Sequence, residues 1–473
     1  MEAVKLEDVQ QSQTKSIENS SKTSLYSAIW RWHFYAGIFF GPLIIFLAIT
    51  GGVYLFKPQI ESYMYHDLYY VHEGQQKVPA TEQIDAVKKH YPNIKITSFK
   101  PSFEANRSSE VSLMDKGESV TVYVNPYNGD IIGSLNDKNK FMATVKELHN
   151  GEVWGTIGNR FVELAGCWAI ILIITGSYLW WPRNRKSLFG TLIPRIRLFM
   201  GKRMFWRDIH AVTAFWLSLF IIIQSFSGLM WSEIFGGMAH RAVEATNMGS
   251  PVGDQPWEKF AFPKSTIPTK EVADVPWAAE NMPLPKSGHS GLTPITIENV
   301  IQIVKNNNVH AGYNIGFPEG KTGVYTVYLD PADVYPNTPM PWTQQTLHID
   351  QYNGKVLANF GWKDYGFLGK LITLGIAFHQ GEFGLLSQLF MLALMGGIVL
   401  IAFSGLLMWW KRRPNGKLGA PSIPENFKML RGVVLIVLVL SLFFPLVGLS
   451  LIVVWILDWL VIKRIPLLKQ IVG

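Results

Sequence analysis

Two phrases set the same residue types in the same order, LHNGE at 148–152 and FHQGE at 378–382, and each puts a histidine just ahead of a long apolar run. Two other apolar runs open on His33, in WRWHFYAGIFFG, and His210, in WRDIHAVTAFW. Neutral imidazole is a good iron ligand, helix bundles hold cofactors with side chains from facing helices, and axial histidine is a familiar way to hold haem iron. The single cysteine, Cys167, excludes an internal disulfide, a thiolate-held iron–sulfur cluster and a CxxCH haem attachment. Any redox cofactor is therefore held by something other than sulfur.

The elements that must position these histidines are membrane spans. Of 473 residues 48% are hydrophobic, and the mean hydropathy is +0.15. Apolar runs at 30–56, 159–181, 206–231, 385–410 and 432–462 are long enough to cross a hydrocarbon layer of about 30 Å. The polar segment 1–29 lacks the short apolar core and cleavage site of a secretory signal, so the first run is expected to stay as an anchor. No GxGxxG follows a strand and no GxxxxGK[ST] is present, which argues against a dinucleotide or nucleoside triphosphate domain.

The net charge of +8 is unevenly distributed. The connector 182–205 holds seven basic residues and no acid, and 411–431 holds six against Glu425 alone. Segments 57–158 and 232–384 are slightly acidic instead. Basic connectors face the cytoplasm, so the two large segments are expected outside. Trp180, Trp181, Trp409 and Trp410 at span ends favour a lipid interface over nucleic acid as the reason for the basic patches.

An internal repeat organises the rest. Four spans close on one phrase: Thr50-Gly51, Thr175-Gly176, Ser227-Gly228 and Ser404-Gly405. Each outer segment carries a similar hairpin, VYVNPYNGDIIG at 122–133 and LHIDQYNGKVLANF at 347–360. The chain thus reads as two parallel copies of span, outer domain, span, related by an axis along the membrane normal. Such an axis turns His33 toward His210 and His149 toward His379. His33-x3-Gly37-x3-Gly41 and His210-x3-Ala214-x3-Ser218 put small residues on each histidine's helix face, leaving either a close helix contact or a flat slot for a porphyrin. Two pairs at opposite leaflets predict two haem b groups, each iron held by two histidines.

Single histidines near span ends are ordinarily interfacial, so the pairing under a repeat carries the prediction. His66, His72, His90, His289 and His310 have no such partner. His240 is the rival for the outer haem, and His348 has no matching histidine in the first copy. Arg207 is either an interface anchor ion-paired with Asp208 or a contact for a haem propionate. Glu152 and Glu382, three residues after their histidines, could cap a helix or orient the ring.

The outer segments each predict a short helix followed by strands, TEQIDAVKKHYP then IKITSF, EVSLM and TVYVNPYNGDIIG, and TIENVIQIVKNNN then GVYTVYLD and QQTLHIDQYNGKVL. An insertion at 249–292, rich in Pro, Gly and Trp, reads as a surface loop, in which Trp257 and Trp277 either pack or floor a groove. In 432–462, Pro445 and Gly448 predict a kinked fifth span or a re-entrant hairpin. A single span would leave Lys463, Arg464 and Lys469, in the tail 463–473, outside.

WRWHFYAGIFFGP, NPYNGDIIG, LHNGEVWG, TGSYLWWPR, WRDIHAVTAFW, FHQGEFG and the FPLVGLSLIVVWILDWL tail together resemble the PepSY-associated transmembrane proteins of bacteria over about residues 25–470. The resemblance implies a multi-pass inner-membrane protein with two periplasmic PepSY domains, similar to siderophore-iron reductases. It implies haem ligation by His33, His149, His210 and His379 and a ferric siderophore as electron acceptor. In the reductase reading a quinol or flavoprotein is the inner donor, and reduction releases iron as Fe(II). Two other functions compete. The outer domains could bind or regulate a periplasmic partner with the spans as anchors, which would not need histidines at both faces. An iron or siderophore permease would need polar residues at mid-bilayer, where Gln224 and Gln388 are the chief ones.

Overall fold

The computed structural model describes residues 2–181, 192–194, 203–246, 248–249, 264–288, 293–329, 334, 339–420, 431–462 and 464–472. Most of the connector 182–205, residues 421–430 of the connector 411–431, and Trp257 lie outside these residues.

In chain order, α1 (Glu2–Tyr54) leads to α2 (Lys57–Met64), α3 (His66–Tyr69) and α4 (Ala80–His90). Strands β1 (Lys95–Lys100), β2 (Ser109–Asp115), β3 (Glu118–Val124) and β4 (Ile131–Asn136) follow. Next come α5 (Phe141–Asn150), α6 (Gly155–Trp180), α7 (Arg203–Leu229) and α8 (Ile234–Ala245). Strands β5 (Lys264–Pro268) and β6 (Pro283–Pro285) precede α9 (Ile297–Asn306). The second set of strands is β7 (Asn314–Gly316), β8 (Val324–Leu329), β9 (Gln345–Asp350) and β10 (Val356–Gly361). The chain closes with α10 (Phe367–Gln380), α11 (Leu385–Arg412), α12 (Arg431–Phe443), α13 (Pro445–Leu457) and α14 (Pro466–Val472). These elements form two compact units, one of Met1–Gly52, His149–Gly237 and Leu392–Gly473, the other of Val53–Leu148 and Met238–Met391.

The first unit is helical. Among the described residues, five stretches are long and apolar enough to span a membrane: Leu25–Tyr54, Glu152–Trp180, Met204–Leu229, Leu385–Arg412 and Pro445–Ile462. The protein is a multi-pass membrane protein. α1 continues unbroken from the polar N-terminal segment into the first span. Glycine lets the helices close on one another: a Cβ on Gly397 would press on Leu217 Cδ1, so any larger residue there would require the leucine to turn aside where α11 meets α7. Glu163, nearly fully buried within α6, accepts bonds from the backbone N–H groups of Ile234 (3.3 Å) and Phe235 (2.7 Å). Those are orphan donors at the start of α8, so this carboxylate caps a helix.

The last apolar run is a helical hairpin. Phe443 and Phe444 pack on Phe226 and Phe235, at one end of the unit. Pro445 then opens α13, and a Cβ on Gly448 would lie 2.6 Å from Ser441 Cβ. Residues seven apart on a straight helix are separated by about 10 Å, so the chain reverses. α13 passes Trp168, whose Nε1 donates to Ser450 Oγ at 3.4 Å. In the tail the Leu418 amide donates to the Ile471 carbonyl at 2.8 Å. α14 therefore lies beside Leu418, six residues beyond the end of α11 at Arg412.

In the second unit the two segments read along the chain as separate outer domains share one eight-stranded sheet, in the order β10-β9-β8-β7-β1-β2-β3-β4. The join is antiparallel, Ser98 opposite Gly316 and Phe99 opposite Ile315. Neither segment's sequence announces it, because the short β7 has no alternation to read. Each half supplies one helix, α4 or α9. Ile84 and Val87 of the first and Val300 and Val304 of the second share a core with Phe99, Val122, Ile315 and Ile349. Both hairpin turns carry glycine at positive φ, Gly129 at 75° and Gly354 at 70°, the conformation that glycine adopts without a steric cost. The tyrosine two residues before each glycine ties its turn down: Tyr127 Oη donates to Ala105 O at 2.6 Å and Tyr352 Oη to Lys321 O at 2.8 Å.

The described part of the insertion is more ordered than a surface loop. β5 pairs with β6, and Val275, Ala279 and Met282 pack on Ala358 and Phe360 of the sheet. Apolar residues spaced between its prolines supply that second core.

Candidate functional site

In the helical unit, α1, α6, α7 and α11 enclose a cavity of about 740 Å³, within the range of roughly 300–1,000 Å³ usual for small-molecule and cofactor sites. His33 and His210 both line it, with Gly37, Gly41 and Ala214 on their helix faces. Ser218, the fourth small residue of the spacing, is not among the lining residues and donates to Phe215 O at 2.7 Å.

The ring centres of His33 and His210 are 6.3 Å apart and their planes cross at 82°. Two opposed imidazoles, each about 2.0 Å from one metal and with roughly 1.1 Å from donor nitrogen to ring centre, have centres about 6 Å apart. The donor set is right as well, since neutral imidazoles suit haem iron. The pair and the slot fit a haem.

Each ring is seated against a serine or threonine and the glycine that follows it. His33 Nδ1 is 3.0 Å from Thr175 Oγ1, and a Cβ on Gly176 would be 3.0 Å from His33 Cε1. His210 Nδ1 donates to Ile401 O at 2.8 Å and lies 3.4 Å from Ser404 Oγ, while a Cβ on Gly405 would be 3.1 Å from His210 Cε1. His149 repeats the arrangement, with Nδ1 3.0 Å from Thr50 Oγ1 and a Gly51 Cβ position 3.0 Å from its Cε1. The sequence displays these span-closing pairs plainly, but nothing in their spacing says that they serve the histidines. Their fourfold recurrence was the available signal.

His149 and His379 stand one residue from the ends of α5 and α10, and the glycine of each phrase is left-handed, Gly151 at φ 81° and Gly381 at 71°. The shared His-x-Gly wording is thus a histidine in a last helical turn followed by a left-handed glycine stop. Glu152 does not orient His149 through Nδ1, because that nitrogen faces Thr50. His149 belongs to the helical unit and His379 to the sheet unit.

Arg207 pairs with its neighbour and also borders the cavity. Its Nη2 donates to Asp208 Oδ1 at 2.8 Å, and it lines the cavity. A second cation at the same mouth, Arg412, was not singled out from sequence; it lies over Trp30 at 5.8 Å and Phe34 at 5.4 Å. Two cations beside an apolar slot suit a ligand with an apolar body and acidic ends.

His240 is committed elsewhere: Trp277 stacks on it at 4.1 Å and Asn281 Nδ2 donates to its Nδ1 at 3.3 Å. Trp277 is itself buried, which favours packing over a groove floor. His348 is buried in β9 beside Thr326 Oγ1, 3.2 Å away, and burial lowers its pKa to about 3. Gln388 donates to Leu55 O at 3.0 Å and accepts from Gln59 at 2.8 Å, so its amide serves structure. Beside β5 and β6, burial raises the Glu280 carboxyl to about 7, partly offset by Lys270.

None of the curated proteins matches the chain. The family described as PepSY-associated TM region matches residues 30–412, a stretch that holds His33, His149, His210 and His379, all of the cavity lining but Tyr26, and the whole sheet unit. The chain belongs to the PepSY-associated TM region family.

Proposed function

We propose that this protein is a transmembrane di-haem b reductase of the bacterial inner membrane. It would pass electrons from a quinol or flavoprotein on the side of the basic connectors to a ferric siderophore on the periplasmic side. The observation that carries the reading is the facing pair His33 and His210 across a cofactor-sized cavity, with ring centres 6.3 Å apart. These two histidines would hold the inner haem, with Arg207 and Arg412 at its acidic edge. For the outer haem, the support is the sequence repeat that pairs His149 with His379, together with a seat at His149 like those of the inner pair.

A haem iron held by two histidines supplies one-electron transfer. The protein's share is to offer two neutral imidazoles, to keep the slot apolar and to balance acidic groups with the two arginines. On the substrate side, hard oxygen ligands hold Fe(II) less tightly than Fe(III), so reduction releases the metal. No acid or base residue is required.

Proteoliposomes test this. With an impermeant reductant enclosed and a ferric hydroxamate siderophore plus a ferrous chelator outside, wild type is expected to form the ferrous complex and His33→Ala is not. Formation no faster than in empty liposomes, with the protein correctly inserted, would remove the reading and direct attention to partners of the outer domains.

A further inference from the structure

Each seated histidine meets its span in the same way. The ring nitrogen Nδ1 faces the hydroxyl of Thr175, Thr50 or Ser404, and that of His210 also faces the Ile401 carbonyl. A carbonyl can only accept, so it requires a proton on Nδ1. The hydroxyl protons point away from the rings toward earlier carbonyls: Thr175 Oγ1 donates to Ile171 O at 2.6 Å, Thr50 Oγ1 to Phe46 O at 3.0 Å, and Ser404 Oγ to Ile401 O at 2.8 Å. Each hydroxyl oxygen is left to accept. The hydroxyls, and at His210 the carbonyl as well, therefore select the tautomer with hydrogen on Nδ1 and a lone pair on Nε2.

The glycine after each hydroxyl residue sets the ring's place. Cβ positions at 3.0–3.1 Å from the three Cε1 atoms are tighter than ordinary contact, so alanine at 51, 176 or 405 would shift the imidazole within its seat by a few tenths of an ångström. Ser227-Gly228, the fourth copy, has the same backward bonds, Ser227 Oγ to Ile223 O at 2.8 Å and Gln224 O at 3.0 Å. Backward bonds alone are common for hydroxyl residues in apolar helices. The conjunction with a histidine and a glycine in three separate places is what that explanation leaves out.

We infer that the Ser/Thr-Gly pairs are positioning residues for the haem ligands: the hydroxyl, joined at His210 by the Ile401 carbonyl, fixes the Nδ1–H tautomer, and the glycine admits the ring at the angle that presents Nε2. The inference rests on the haem reading above. Its chemical consequence is a tuned metal centre, because a hydrogen bond from Nδ1–H makes Nε2 a stronger donor and favours Fe(III) over Fe(II).

The test is redox titration of the purified full-length protein, following each haem by its visible spectrum, in wild type, Thr175→Val, Thr175→Ser and Ser404→Ala. The valine keeps shape and removes the acceptor; the serine restores it. Loss of about tenfold in ferric over ferrous preference at one haem raises its midpoint potential by about 59 mV. That rise, or selective loss of that haem, is expected in Thr175→Val, with wild-type behaviour in Thr175→Ser. Ser404→Ala gives a smaller rise, because the Ile401 carbonyl remains, and serves if the valine variant does not fold. Two haems with unchanged potentials in both Thr175→Val and Ser404→Ala would overturn the inference and leave the haem reading standing. A wild type that stays colourless after haem reconstitution would overturn the haem reading itself.

Discussion

At the scale of single residues, the account turns on how tightly each imidazole is held. The Gly405 Cβ position lies 3.1 Å from His210 Cε1, so Gly405→Ala is expected to weaken haem binding at the inner site by roughly 10- to 100-fold, as disturbed second-shell contacts do. Titration of the apoprotein with haem reads this directly, and an unchanged affinity would mean that the ring does not serve as a ligand. The sequence singles out four histidines because a repeat pairs them, and the structure seats three of them, His33, His149 and His210. Their seats were not legible in the sequence, because Thr175 lies 142 positions from His33 and Ser404 194 from His210. Only folding brings such residues together. Arg412 was missed for a related reason: amid Lys411 and Arg413 it reads as one of several interfacial cations.

At the scale of elements, the strands make a pH prediction. His348, 1% exposed in β9, has its folded pKa lowered to about 3 from the ordinary 6.5 by burial. The folded protein thus keeps it neutral where the unfolded chain protonates it. Stability is complete above pH 6.5 and falls as the pH drops from there toward 3, by about 1.4 kcal/mol per unit, or about 2 kcal/mol at pH 5. Thermal unfolding followed by tryptophan fluorescence should show a weaker decline from pH 7 to 5 in His348→Val than in wild type. Equal declines would assign the acid sensitivity to other groups. The terminal hairpin makes a second prediction. Leucine at 448 would drive into Ser441, 2.6 Å from the added Cβ, and open the turn. A cysteine placed at 471 in a Cys167-free background is expected to react from the cytoplasmic side in the otherwise native chain. Labelling from the outside would contradict the hairpin. The sequence narrowed the tail to a kink or a hairpin through Pro445 and Gly448, and the contacts of Phe443, Phe444 and Leu418 select the hairpin.

At the scale of the whole molecule, the chain combines a bundle of apolar helices with one mixed-origin sheet. Hydropathy pointed to the five long apolar stretches found among the described residues, because a bilayer demands length and apolarity of each one. The helix-then-strands order of both outer segments was equally legible, through amphipathic spacing and the two Asn-Gly turns. The continuous sheet was not, since it depends on two short edges, Ser98–Phe99 and Ile315–Gly316, meeting far along the chain. The central claim is that the facing histidines bind haem. The most direct measurement is a reduced-minus-oxidised visible spectrum with haem and iron quantified per chain, on purified wild type, His33→Ala and His379→Ala. Two low-spin b-type haems in wild type, with about one lost in each variant, is the predicted result. A protein that remains without haem after reconstitution would contradict the account.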